Sequence, residues 1–161
     1  MKIFLCGLIV VLSGFVGVVI NSNYNKKYAF FKDLYTFFNS LKLKIAFFKD
    51  KYEECICDYL KQKPNNNFYV EQLKLIKDNQ LTVSNLINIM PNILQEEKEY
   101  VANIITTICS SEYSQSEEVI ATAITFAQDK MKEYYNQINT KGKMIQKIAL
   151  CVGLVISIII Y

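Results

Sequence analysis

IFLCGLIVVLSGFVGVVI, residues 3–20, is eighteen residues long and carries no charge. As a helix rising about 1.5 Å per residue it measures about 27 Å, close to the roughly 30 Å hydrocarbon core of a bilayer. It has no polar face to turn toward water, so it reads as a membrane-spanning helix. A second stretch of this kind lies at the other extreme, IALCVGLVISIIIY at residues 148–161, fourteen residues without a charge. That stretch is about 21 Å long as a helix. Met144 and Ile145 extend it, and Lys147 can lay its stem along apolar surface while its ammonium reaches the headgroups. Two crossings bring the chain back to the side it left, so everything polar between them emerges at one membrane face. The expected organisation is an N-terminal transmembrane helix at 1–21, a body at 22–143 and a C-terminal transmembrane helix at 144–161.

A cleaved signal peptide is the rival reading of the N-terminus, because Lys2 precedes the apolar run as an n-region would. The run is long for that role, and Val18, Val19 and Ile20, followed by Asn21, Ser22 and Asn23, make a poor cleavage site. An exported body would also favour paired cysteines. Cys6 and Cys151 lie in the apolar ends, and the body keeps an odd set, Cys55, Cys57 and Cys109.

Orientation follows from the lysines, since cytoplasmic flanks of membrane helices are enriched in them. The inner flanks carry Lys26, Lys27, Lys32, Lys141, Lys143 and Lys147, and the outer flanks only Lys2. The body is therefore expected in the cytoplasm. Residues 21–33 and 140–147 hold six lysines against Asp33 alone, whereas residues 34–139 hold eleven lysines against fourteen acids. Positive charge beside the membrane and negative charge away from it suit an anionic inner leaflet. The overall charge of +3 thus reflects the membrane flanks and gives no reason to expect a nucleic-acid partner.

Composition excludes most chemistry. There is no His, Arg or Trp. The usual general base and commonest metal ligand are missing, as is the bidentate phosphate clamp. Of five glycines, three fall in the first apolar run, and Gly142 and Gly153 cannot build a phosphate-cradling loop. No cofactor and no enzymatic activity are expected.

The body reads as all-α, an antiparallel helical bundle set between the two transmembrane helices. Apolar positions at Phe30, Leu34, Phe37, Leu41, Ile45, Phe48, Tyr52, Cys55 and Tyr59 step by three and four, which predicts one long helix over about 25–61, nearly continuous with the N-terminal membrane helix. Pro64 and the asparagines after it predict a loop over 61–67. A shorter helix follows from Phe68 to about Lys77, with Val70, Leu73 and Ile76 on one side. Thr82 or Ser84 caps the next, from Val83 to Met90, and Pro91 stops it. Ile93, Leu94, Glu97, Tyr100, Val101, Ile104, Ile105 and Ile108 form another stripe. Ser114 and Glu117 have the spacing of a capping box, opening a last helix from Ser116 that ends near Thr140, Lys141 and Gly142.

The polar clusters are few. Cys55 and Cys57 have the spacing of half a zinc site, but on a helix they point about 200° apart, and no second cysteine pair or histidine is at hand. Glu53 and Glu54 are adjacent and diverge, which suits neither acid nor base work. The aromatic ladder from Phe30 to Phe48 reads as core. Glu96, Glu97 and Glu99, with Lys98 inside the run, form the candidate docking patch for a basic partner, set against the plainer reading of a solvated helix face.

Three places resemble the stage III sporulation protein AB family of endospore-forming bacteria. These are Leu41-Lys42-Leu43-Lys44-Ile45 with Phe48 and the later Cys55-Ile56; Ile104 to Ser116, ahead of the last helix; and Lys143-Met144-Ile145-Gln146-Lys147 running into the C-terminal apolar stretch. The sequence departs from the family pattern at Lys44, where a glutamate is usual, and at Ile108 to Ser110, where Leu-Gly is frequent. The resemblance covers the full length. It implies a non-enzymatic part of a secretion-like channel apparatus in the mother-cell membrane, with a domain similar to the cytoplasmic domain of type II secretion and type IV pilus platform proteins. By the same likeness its partners are a cytoplasmic secretion-type ATPase and the other membrane subunits of the complex. A general secretion platform outside sporulation is the near alternative, and an exported, membrane-anchored helical protein the more distant one.

Overall fold

The structure, a computed structural model, describes residues 2–48, 51–110 and 113–160, with side chains described at 7–45, 51–110 and 117–159. The fold is all-α, as expected, and no strand occurs among the described residues. The helices are α1 (Lys2–Phe48), α2 (Tyr52–Gln62), α3 (Asn67–Lys77), α4 (Val83–Ile89), α5 (Gln95–Ser110), α6 (Tyr113–Gln137) and α7 (Lys143–Ile160), with a π-helical turn at Ile138–Gly142 between the last two. They divide into two compact units, residues 30–129 and residues 1–29 with 130–161, so that α1 and α6 each contribute to both.

The long N-terminal helix does run on into the body, but it does not reach Lys61. Its end at Phe48 and the start of α2 at Tyr52 fall either side of Lys49-Asp50-Lys51, of which 49 and 50 lie outside the described residues. Lys51 is extended, with φ −70° and ψ 149°. Its N–H donates to the Glu54 carboxylate at 3.2 Å, and Glu53 and Glu54 occupy the first turn, where the helix dipole favours acids. A new helix start is thus supplied from within α2. The stripe resumes at Tyr52, Cys55, Ile56 and Tyr59, all buried.

In the unit of residues 30–129 an aromatic cluster joins α1, α2 and α3. Phe37 on α1 lies 5.8 Å from Tyr52, 5.3 Å from Tyr59 and 4.8 Å from Tyr69, ring centre to ring centre. Such pairs contribute roughly 0.5–1.5 kcal/mol each beyond area burial. Helix α3 joins this cluster through Phe68, Tyr69 and Gln72; the expected face of Val70, Leu73 and Ile76 is half-buried instead. The larger rings win the interior because they remove more apolar area from water. Two ion-paired carboxylates tie the elements. Asp33 on α1 pairs with Lys63 and accepts from Asn66 Nδ2 at 3.1 Å. Asp58 on α2 pairs with Lys44 and with Lys61 at 2.7 Å; the hydrogen bond from Lys44 above all holds its carboxyl down to about 2.

Local signals account for the shorter ends. Asn79 sits at φ 53°, with its N–H bonded to Ile76 O at 3.1 Å and that of Gln80 to Leu75 O at 2.8 Å. This is the paired closure that a left-handed residue allows at a helix end. Thr82 caps α4, its hydroxyl accepting from Asn85 N–H at 3.3 Å. The last long helix differs from expectation at both ends. It begins at Tyr113, so Ser114 falls inside it, and the capping-box side chain of Ser114 lies outside the described residues. Nor does it stop at Gly142: the backbone widens into the π turn, where Lys143 N–H reaches Ile138 O and Thr140 O, and continues as α7.

Candidate functional site

Among the described residues two helices are long and apolar enough to cross a membrane, one within Gly7–Ile45 and one within Glu117–Ile159. In the unit of residues 1–29 and 130–161, α1 and α7 pack through small residues. A side-chain carbon at Gly17 would meet Gln146 Cα at 3.0 Å and Ala149 Cβ at 3.5 Å, one at Gly153 would meet Val10 Cα at 3.3 Å and collide with Ser13, and one at Gly142 would collide with Asn21. Val10, Ser13, Gly17 and Asn21 step by three and four, so they share one face of α1. Gly7 and Gly14, by contrast, have nothing within 4 Å. Close backbone approach through small residues is how apolar helices associate where no hydrophobic drive separates them from lipid. The outer surface is apolar: Val11 is 71% exposed, Phe15 67% and Ile159 77%.

Above this apolar zone the same unit is strongly basic. Of its eight lysines all but Lys2 lie there, against one acid, Glu133, and that carboxylate is paired with Lys130 at 2.9 Å. Residues 30–129 hold ten lysines against fourteen acids. Of the basic flank, Lys26, Lys27, Lys141, Lys143 and Lys147 belong to the basic unit and Lys32 to the acidic one. Lys130 and Lys132, which counting along the chain assigned to the body, join the basic unit, because α6 descends antiparallel to the first turns above the N-terminal apolar run. Lys27 Nζ lies 5.6 Å over the Tyr134 ring, and Tyr28 and Tyr135 meet with ring centres 5.9 Å apart. Amphipathic rings and lysines are the side chains enriched where membrane helices meet water.

The acidic run on α5 does not form one surface. Glu96 and Glu99 are exposed, and Glu99 accepts from Gln95 Nε2 at 2.9 Å. Glu97 is buried and accepts from Leu94 N–H at 3.3 Å. Its position in the apolar stripe decides this: spacing puts it with Val101 and Ile104 on the inward side, and the carboxylate serves the helix start. A docking face on α5 therefore has two carboxylates, not three.

The remaining polar clusters do little together. Cys55 is buried and Cys57 half-buried. A shallow hollow of about 410 Å³ is lined by Lys51, Glu53, Glu54, Cys57, Asp58 and Lys61. Its Asp58 is held by two lysines and its Glu54 by the Lys51 amide, so two of its three carboxylates are engaged in holding the fold.

The family model for stage III sporulation protein AB matches residues 2–161. The chain belongs to that family, and with it to the proteins of sporulation. No curated protein and no solved structure is similar enough to match.

Proposed function

We propose, on the premise of that family membership, that the chain is a non-enzymatic, membrane-anchored platform subunit of a secretion-like channel complex in the mother-cell membrane. Residues 1–21 and 144–161 cross the bilayer, and residues 22–143 stand in the cytoplasm. The observation that carries this reading is the division of charge between the two compact units, eight lysines to one acid against ten lysines to fourteen acids. Anionic lipid attracts the first and repels the second, which leaves the acidic unit facing soluble partners. Those partners are a cytoplasmic secretion-type ATPase, with the other membrane subunits beside it, and no nucleic acid. No cofactor and no catalytic group are assigned; the engaged carboxylates of the α2 hollow support that.

The docking face is Glu96 and Glu99 on α5. Full-length protein in detergent is expected to capture the ATPase, and Glu96→Lys with Glu99→Lys to weaken capture at least tenfold at low salt, since surface charge mainly steers association. Capture that the double variant leaves unchanged would remove α5 as the face, and no capture by folded wild-type protein would overturn the platform.

A further inference from the structure

A furrow of about 630 Å³ runs along α1, lined by Phe15, Val18, Val19 and Ile20 at one end and by Ser22, Asn23, Tyr24, Lys26 and Lys27 at the other. The order is that of a phospholipid. Phe15, Val18 and Val19 are exposed large apolar side chains on the run that the membrane reading places in hydrocarbon. One turn up, the lining turns to hydroxyl, amide and phenol, and after another turn to two ammonium groups. From Phe15 to Lys26 is eleven residues, about 16 Å of helix, enough for a headgroup and the upper part of an acyl chain. We propose that this furrow seats an anionic phospholipid, its chain along Phe15 and Val19 and its phosphate at Lys26 and Lys27.

Charge selects the occupant. Within residues 1–29 and 130–161 the one acidic side chain is Glu133, on α6 and paired with Lys130, and the acid further along α1, Asp33, is paired with Lys63. A zwitterionic headgroup such as phosphatidylcholine would bring a balancing cation into this field, whereas phosphatidylglycerol brings none. Lys26 is exposed, and Lys27 is steadied above the Tyr134 ring. The site therefore makes the protein sensitive to which lipid surrounds it, beyond the general attraction of a basic collar for an anionic leaflet.

This inference rests on the membrane reading, and the test separates the two. Full-length protein is placed in nanodiscs of equal phosphatidylglycerol and phosphatidylcholine, and the lipid retained on release is identified by native mass spectrometry. Phosphatidylglycerol is expected in excess, the excess falling about tenfold for Lys26→Gln with Lys27→Gln and much less for Lys141→Gln with Lys143→Gln, which removes the same charge away from the furrow. Equal falls for both pairs would mean a diffuse collar and overturn the seat, as would retention without preference or a dimer whose Val19→Cys cross-links across copies. Failure to enter nanodiscs would overturn the membrane reading and the seat together, whereas entry without preference overturns the seat alone.

Discussion

Gln72 lies wholly inside the unit of residues 30–129, where its Nε2 donates to Tyr52 Oη at 2.7 Å and its Oε1 is buried with no hydrogen-bond partner among the described residues. Burial pushes the Tyr52 phenol well above its ordinary pKa, so it stays protonated while its oxygen accepts from Gln72. A buried amide left without its partner costs about 1–3 kcal/mol, while replacing both members of a pair by apolar groups of similar shape is nearly neutral. Tyr52→Phe is accordingly expected to destabilise by about 1–3 kcal/mol. Adding Gln72→Met, which also removes the unpartnered oxygen, is expected to restore the loss, as read by urea denaturation of the detergent-solubilised chain. A double variant as unstable as the single one would show that the pair does not act as a unit. This contact was not legible in the sequence. Periodicity assigns Tyr52 to the core through its stripe, but it ranks a glutamine by polarity and so passed over Gln72 in favour of Leu73. Glu97 was half legible for the same reason, since the stripe included it while its charge suggested a surface. At such positions a specific partner, an amide or a phenol, overrides hydropathy, and partners are a property of the fold.

At the scale of elements, spacing carried most of the information. The step of three and four along α1 and the break at Pro91 were readable because they are local. The division between α1 and α2 was not, because the same stripe serves a straight helix and one that folds back; only the triplet Lys49-Asp50-Lys51 marks the place. The pairing of α1 with α7 was equally hidden. The four glycines of the apolar runs look alike in sequence, yet the structure gives them different work. A Cβ at Gly153 runs into Ser13 and the Val10 backbone, whereas Gly7 and Gly14 face open space. Gly153→Leu is therefore expected to separate the two helices, and Gly14→Leu to leave them paired. Disulfide trapping between cysteines introduced at Val10 and Gly153's neighbour Leu154 reads this directly. The trapping yield should fall several-fold for Gly153→Leu, and an equal fall for Gly14→Leu would mean that helix propensity, not packing, sets the effect.

For the whole molecule, the division into a basic and an acidic unit makes a statement about sidedness that neither unit makes alone. The five flank lysines in the basic unit, Lys26, Lys27, Lys141, Lys143 and Lys147, all lie within about ten residues of an apolar run, the range over which lysine sets orientation. Reversing the molecule would move these charges across the bilayer. Asn65, exposed in the turn between α2 and α3, reports which side the acidic unit occupies. An Asn65→Cys variant is expected to show no labelling above the parent by a membrane-impermeant maleimide in intact cells, and strong labelling once the membrane is opened. Labelling in intact cells would place the acidic unit outside, and a cytoplasmic ATPase could not then be its partner. The same experiment with the five lysines changed to Gln tests the cause. Mixed orientation in that variant would mean that the basic flank sets the sidedness, and an unchanged result would pass that role to the length and order of the two apolar helices.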